Sequence, residues 1–220
     1  MCESAVWVTL RLAVATTAIL LLLGLPLAYW LTTTRWRGKF LVEAVVALPI
    51  ILPPTVLGFY LLMALGPRSP IGGLIQSVTG SSLPFSFGGI LVGSVIFNLP
   101  FAVRPFVAGF TAVDRRLVEA SWCLGASRFR TFCRVILPLA RAGILTGVVL
   151  SFAHTVGEFG VVLMLGGNIP GVTQTISTLI YDDVQAMNYG AANVTAGVLL
   201  AFSVCMLSVV YSLQRRVPGL

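Results

Sequence analysis

Glu119-Ala120-Ser121-Trp122-Cys123-Leu124-Gly125, followed by nine residues and then Val135-Ile136-Leu137-Pro138, is a polar interruption in a chain that is otherwise apolar over long stretches. Its flanks decide the fold class. Of 220 residues, 57% are hydrophobic and only 10% charged, whereas a soluble domain carries about a quarter charged residues. A membrane span needs about 20 predominantly apolar residues at 1.5 Å rise each. Five stretches reach that length, at about 8 to 33, 40 to 65, 88 to 111, 139 to 165 and 191 to 213. The expectation is an all-α integral membrane protein with five full transmembrane helices. It forms one domain over residues 1–220, with 114–138 as a cytoplasmic helix-turn-helix loop inside it.

Charge sets the orientation. The net charge of +7 raises nucleic acid as a partner, but the cations lie between apolar runs instead of on a soluble face interleaved with aromatics, which argues against it. Arg35, Arg37 and Lys39 fill the first loop, Arg115, Arg116, Arg128, Arg130 and Arg134 the loop at 114–138 with Arg141 just beyond its end, and Arg215 and Arg216 the C-terminus. The positive-inside rule makes all three cytoplasmic. Five spans then put the N-terminus outside and the C-terminus in the cytoplasm. The first apolar stretch is too long for a signal-peptide core and has no cleavage site behind a basic region, so it reads as a retained span. Cys2, Cys123, Cys133 and Cys205 are scattered and read as small hydrophobes.

Between the fourth and fifth spans, Val172 to Tyr189 mixes short apolar groups with Gln174, Ser177, Asp182, Asp183, Gln185 and Asn188. Lipid exposure of that segment is costly, which favours a short or re-entrant helix packed among the spans, with a sixth crossing as the alternative. Pro49, Pro53 and Pro54 in the second span, and Pro100 and Pro105 in the third, predict bends, read either as fits to neighbours or as hinges. Gly66 to Gly89 reads as an irregular external loop.

Inside the polar loop the local signals are specific. Asp114 is placed to cap a helix running through Leu124, with Leu117, Ala120, Ser121 and Leu124 on one face and Gly125 able to take a left-handed stop. Ser127 can cap a second helix, whose Phe129, Phe132, Cys133 and Ile136 form an apolar stripe opposite Arg130 and Arg134. Pro138 suits the first turn of the next span. Two such amphipathic helices need a cover, either a partner groove or the bilayer surface.

The spacing of Glu119, Gly125, Leu137 and Pro138 resembles the EAA loop of ABC-transporter permeases, E-A-A-x3-G-x9-I-x-L-P, with Ser121 in place of the second alanine. That resemblance implies that Glu119, Ala120, Ser121, Gly125, Arg128, Phe129, Leu137 and Pro138 form a docking surface for a cytoplasmic ATPase. The likeness extends over nearly the whole chain to the molybdate-transport permeases. It includes Leu48-Pro49-Ile50-Ile51-Leu52-Pro53-Pro54-Thr55-Val56-Leu57-Gly58, the run Ser151 to Gly160, and Gly167 to Thr175. Sulfate and tungstate permeases share much of the Gly157-Glu158-Phe159-Gly160 region, and His154 stands where arginine is often found. The resemblance implies the membrane subunit of a binding-protein-dependent importer in the bacterial cytoplasmic membrane. The expected substrate is molybdate, with sulfate, thiosulfate or tungstate as alternatives. It also implies a second copy of the chain, two ATPase subunits that carry ATP and Mg, an external oxyanion-binding protein and surrounding lipid. The chain itself is expected to hold no cofactor or metal.

Intramembrane polar residues are costly and mark pathways or gates. Asn98, Ser151, His154, Thr155 and Glu158 are the candidates here, and Arg104 reads as a side chain that snorkels to the interface. His154 and Glu158, four apart, share a helix face, either as a structural pair or as transport residues. Glu158 would repel an oxyanion and suits structure or gating, whereas Ser151 and Thr155 suit transient contact. Two other classes compete. An intramembrane hydrolase needs a serine with a partnered base, and the only histidine has no G-x-S-x-G beside it. A passive channel needs no docking surface for a motor. The chain has no G-x-x-x-x-G-K-[ST], so it is not itself expected to be an enzyme, and ATP hydrolysis belongs to a partner.

Overall fold

The computed structural model describes residues 2–215; Arg216, counted above among the C-terminal cations, lies outside them. All regular elements among the described residues are helical. Three helices are individually long and apolar enough to cross a membrane, namely Glu3–Thr33 within α1 (Cys2–Thr33), α5 (Phe87–Thr111), and Tyr189–Ser212 within α12 (Tyr189–Arg215). Two bent helix pairs bring the number to as many as five.

The second expected span is not one helix. α2 (Lys39–Ile51) and α3 (Pro54–Leu65) meet at 115°. A residue preceding proline is pushed out of the α region into extended backbone. Here Leu52 precedes Pro53 and Pro53 precedes Pro54, and the two residues hold ψ of 134° and 135°. Pro54 then starts α3, where its missing N–H costs nothing. By contrast, α5 runs unbroken through Pro100 and Pro105.

The fourth expected span, 139 to 165, is also divided. α9 (Arg141–Val156) ends at Gly157, and α10 (Gly160–Gly166) resumes beyond Glu158 and Phe159. The two breaks meet. A Cβ on Gly160 would come within 2.7 Å of Pro54 Cβ, and one on Gly58 within 2.8 Å of Met164 Cβ, so only glycines let α3 and α10 approach this closely. α11 (Ile176–Gln185) has ten residues, about half a span. It is entered through buried Thr173, Gln174 and Thr175 and tied to α1 by Ile176 N–H donating to Thr9 Oγ1 at 2.9 Å. The segment read as irregular, 66 to 89, contains α4 (Pro70–Thr79), capped by the Ser69 hydroxyl, which accepts from Gly72 N–H at 2.8 Å.

α1, α5 and α9 form the centre. α5 and α9 cross where Gly109 faces Gly143 and Phe106 faces Gly147; a Cβ on Gly143 would sit 2.5 Å from Pro105 O. Small residues at a crossing let backbones touch, which is how membrane helices associate without a hydrophobic driving force between them. Two apolar clusters cap this centre. One gathers Leu20, Leu31, Val46, Phe106, Phe110 and Ile136 at the arginine-rich end. The other gathers Val8, Leu12, Leu57, Ile90 and Leu165 at the opposite end. Because α2 joins the first cluster and α3 the second, the bent pair runs from one end of the bundle to the other. α12 leans on α9 and α11, with only 6% of its apolar window buried. Among the described cysteine side chains, Cys123, Cys133 and Cys205 are free and exposed.

Candidate functional sites in the polar loop and the buried relay

At the polar loop, α6 (Arg115–Cys123) begins with Asp114 accepting from Arg116 N–H at 2.9 Å. It stops at Gly125, whose φ of +78° is left-handed. α7 (Arg128–Thr131) begins with Ser127 accepting from Arg130 N–H at 3.3 Å. It continues through a π-helical turn, Phe132–Ile136, into α8 (Leu137–Leu139). Pro138 has no N–H to return to the carbonyl of Arg134, and Leu137 N–H reaches back to Phe132 O instead. Pro138 therefore does not open the next span. That helix, α9, starts only at Arg141, after a 68° bend at Ala140.

The π turn also splits the stripe expected along the second helix. Its extra residue rotates the register, so that Thr131, Ile136 and Ala140 are buried while Phe129 is 78% exposed and Cys133 is exposed. Phe132 turns inward against Tyr29 and Phe110, with ring centroids 4.9 and 6.2 Å away. The loop is thus rooted in the same core that holds α1 and α5. Ser121 Oγ and Thr131 Oγ1 lie 2.9 Å apart and tie α6 to α7. An alanine at 121 could not make this bond, and Thr131 gave no sequence signal beyond being polar among aromatics. Glu119 Oε1 accepts from Arg115 Nε at 3.0 Å in an exposed i,i+4 pair. Such a pair stabilises by only about 0.3–0.5 kcal/mol. An open groove is lined by Leu117, Ala120, Leu124, Arg130 and Arg134. Leu124 is 88% exposed. Arg128, Pro138 and Gly125 are exposed and Leu137 is half-buried.

The second constellation is buried. Asn98 on α5 donates from Nδ2 to Ser94 O at 2.9 Å and to Glu158 Oε2 at 3.0 Å. With both amide hydrogens committed, its Oδ1 accepts from His154 Nδ1 at 2.8 Å, which assigns that ring hydrogen. His154 stacks on Phe101, centroids 3.8 Å apart, with Phe97 at 5.3 Å. Asn98 and Glu158 are buried, and the Ser94 hydroxyl lies beside the Glu158 carboxylate. The expected His154–Glu158 pair on one helix face does not exist. α9 ends at Val156, Glu158 lies past the helix, and Asn98 stands between the two side chains. The linkage joins α5, α9 and the break before α10.

Ser151 and Thr155 are brought near but are committed elsewhere. Ser151 Oγ donates to Gly147 O at 2.5 Å and Thr155 Oγ1 to Ser151 O at 2.7 Å, both into their own helix. In this conformation neither hydroxyl hydrogen is free for another acceptor. Ser151 is also not paired with His154, so the serine–base arrangement of a hydrolase is not assembled. Arg104 is exposed on α5, as a side chain reaching for an interface would be.

Comparison with known proteins converges on one family. The family model described as "Binding-protein-dependent transport system inner membrane component" matches residues 16–218. The molybdenum transport system permease protein ModB of Azotobacter vinelandii is 50% identical over 99% of this chain and 96% of its own length. The ModB protein of Escherichia coli K12 is 34% identical over 93% of this chain and 90% of its own. Among solved structures, an inward-facing form of the MetNI methionine ABC transporter superposes with a TM-score of 0.75 at 19% identity, covering 100% of this chain and 97% of that one. At that identity the likeness concerns the fold, and it is the helical arrangement described above. The exposed helical loop rooted in an apolar helix bundle, together with the full-length match, therefore means that this chain belongs to the family of inner membrane components of binding-protein-dependent transport systems.

Proposed function

We propose that this chain is the membrane-spanning subunit of an ABC importer that takes up molybdate, acting by alternating access driven by ATP hydrolysis on a partner. The observation that carries the importer reading is the exposed helix-turn-helix at 114–138, with its apolar groove and its root in the α1/α5 core. A passive channel has no use for such a surface. The solute follows from the full-length likeness to molybdenum permeases.

In this reading Glu119, Ala120, Ser121, Gly125, Arg128, Phe129, Leu137 and Pro138 dock on a cytoplasmic ATPase, which binds ATP and Mg. Phe132, wedged between Tyr29 and Phe110, passes displacement of the loop into the bundle. The chain is one domain over residues 1–220 and acts as a homodimer, so that two loops meet two ATPase subunits around a two-fold axis. It crosses the bilayer five times, with α2–α3 and α9–α10 as bent crossings and α11 short of a full one. The N-terminus is external and the C-terminus cytoplasmic, and α12 faces lipid along much of its length. Asn98, His154 and Glu158 form a gate linkage rather than an anion cage. An external oxyanion-binding protein captures the solute.

The test is reconstitution of the chain with its ATPase and binding protein in lipid vesicles. Molybdate-loaded binding protein is expected to stimulate ATP hydrolysis and uptake. Stimulation by sulfate but not molybdate would move the chain to the sulfate branch, and stimulation by neither would end the oxyanion reading.

A further inference from the structure

α4 is a ten-residue helix, Pro70-Ile71-Gly72-Gly73-Leu74-Ile75-Gln76-Ser77-Val78-Thr79, without a single charged residue. Its sides are unlike one another. Gly72 is pressed against the end of α3, where a Cβ would lie 2.0 Å from Gly66 O, and Ile75 packs on the apolar cluster at that end of the bundle. Gln76, Gly73 and Ser77 form a second, polar side at helical spacing, beginning next to Gly72. Between these sides runs a third, Ile71, Leu74 and Val78, exposed by 58, 68 and 79%.

We infer that α4 lies in the interfacial zone of the bilayer, with Ile71, Leu74 and Val78 set among the acyl chains just below the headgroups. The surrounding features fit that occupant. α4 is docked on the end of α3, a helix that itself exposes Phe59, Tyr60 and Met63, so an apolar outer surface leads directly to it. Exposed Arg68 precedes the Ser69 cap, placed to meet lipid phosphate while the stripe goes deeper. A polar side opposite an apolar stripe is what a helix lying flat at an interface presents. Three side chains are far too few for a second copy or a binding protein, because a stable protein interface buries about 800 Å² on each side. The uncharged helix also offers neither of those partners an electrostatic landmark.

Such a helix would hold the α3 end at a fixed depth, so that movement of the bundle is taken up at the bend between α2 and α3. The inference rests on the chain being a membrane protein; which leaflet α4 occupies depends on the proposed topology. The experiment below reads depth and not side, so the two can fail separately.

The test places single cysteines at Leu74, Val78 and Gln76 in the full chain assembled with its ATPase in phosphatidylcholine/phosphatidylglycerol nanodiscs, each labelled with the environment-sensitive dye NBD. Labels at 74 and 78 should emit at shorter wavelength than at 76 and be strongly quenched by lipid spin-labelled at acyl carbon 5, and less by lipid labelled at carbon 12. The label at 76 should respond weakly to both. Water-like emission at 74 and 78 would overturn the inference, as would an apolar environment without lipid quenching. Disulfide cross-linking of Leu74→Cys between two copies, or a shift at 74 only when binding protein is added, would assign the stripe to a protein partner and overturn it as well.

Discussion

Asn98 joins three elements through one amide. Removing it takes the amide donor from Glu158 Oε2. Leaving a buried polar group unpaired costs about 1–3 kcal/mol, whereas replacing both partners by apolar groups is close to neutral. Asn98→Leu is therefore expected to lower the thermal midpoint of the purified chain by several degrees, and Asn98→Leu combined with Glu158→Leu to recover much of that loss. A double variant as unstable as the sum of the two single ones, in the same melting assay, would mean that the bond does not couple these sites. The neighbouring hydroxyls should behave differently. Ser151→Ala and Thr155→Val remove only bonds to their own helix carbonyls. Transport rates in vesicles are expected to stay within about threefold of the parent, the scale of a change under 1 kcal/mol. A loss of tenfold or more at Thr155 would put its hydroxyl on the path.

At the scale of elements, two glycines do different work. Gly125 sits at φ +78° with nothing within 4 Å of a Cβ, so a substitution there strains the turn without a clash. Gly125→Val should tilt α6 away from α7, at a cost of about 1–2 kcal/mol for a left-handed β-branched residue. The protein should insert and melt nearly as the parent does, yet lose co-purification with its ATPase, as should Glu119→Lys. Normal co-purification of both variants would remove the docking role from this loop. Gly143 has the opposite surroundings, because a Cβ would press on backbone at Pro105 and Gly109. Gly143→Ala should destabilise the α5–α9 crossing by about 1–3 kcal/mol, whereas Gly197→Ala, with open space around it, should leave the melting temperature unchanged or raise it. Equal effects at the two positions in a melting experiment would show that the crossing tolerates a methyl group.

For the whole molecule, the segregation of cations makes a geometric prediction. A reporter fused after Arg216 should be cytoplasmic, and one inserted near Ser81, just beyond α4, external; the same side for both would mean an even number of crossings between the two positions. Selectivity is expected to reside with the binding protein. The buried relay offers amide and imidazole groups already bonded to one another, and an ordered cage tight enough to rank tetrahedral oxyanions would slow their release. Exchanging the binding protein for one selecting sulfate should change which anion stimulates ATP hydrolysis. A substitution in this chain that reverses the anion preference with the binding protein unchanged would locate selectivity in the membrane subunit.

Local features were legible in the sequence because their causes are local. Asp114 and Ser127 accept from N–H groups two and three residues on, and Gly125 supplies a positive φ, each from the residues at that position alone. Apolar runs likewise announced three helices long enough to cross, because length and transfer free energy are properties of a segment. Pro53-Pro54 signalled a bend, and the direction of backbone restriction before proline explains it, but the 115° angle required α10 packed on α3 through Gly58 and Gly160. The seating of Phe132 on Tyr29 and Phe110 depends on neighbours distant in the chain, and the Ser121–Thr131 tie on how one short helix folds against the next. The same holds for the polar centre. From sequence, His154 and Glu158 were two ionisable side chains four residues apart; only the packing of α5 against the end of α9 brought Asn98, 56 and 60 residues away, between them. Periodicity and capping act over one helical turn and can be read along the chain, whereas the partner of a buried polar group is chosen by whichever helix the tertiary structure lays beside it.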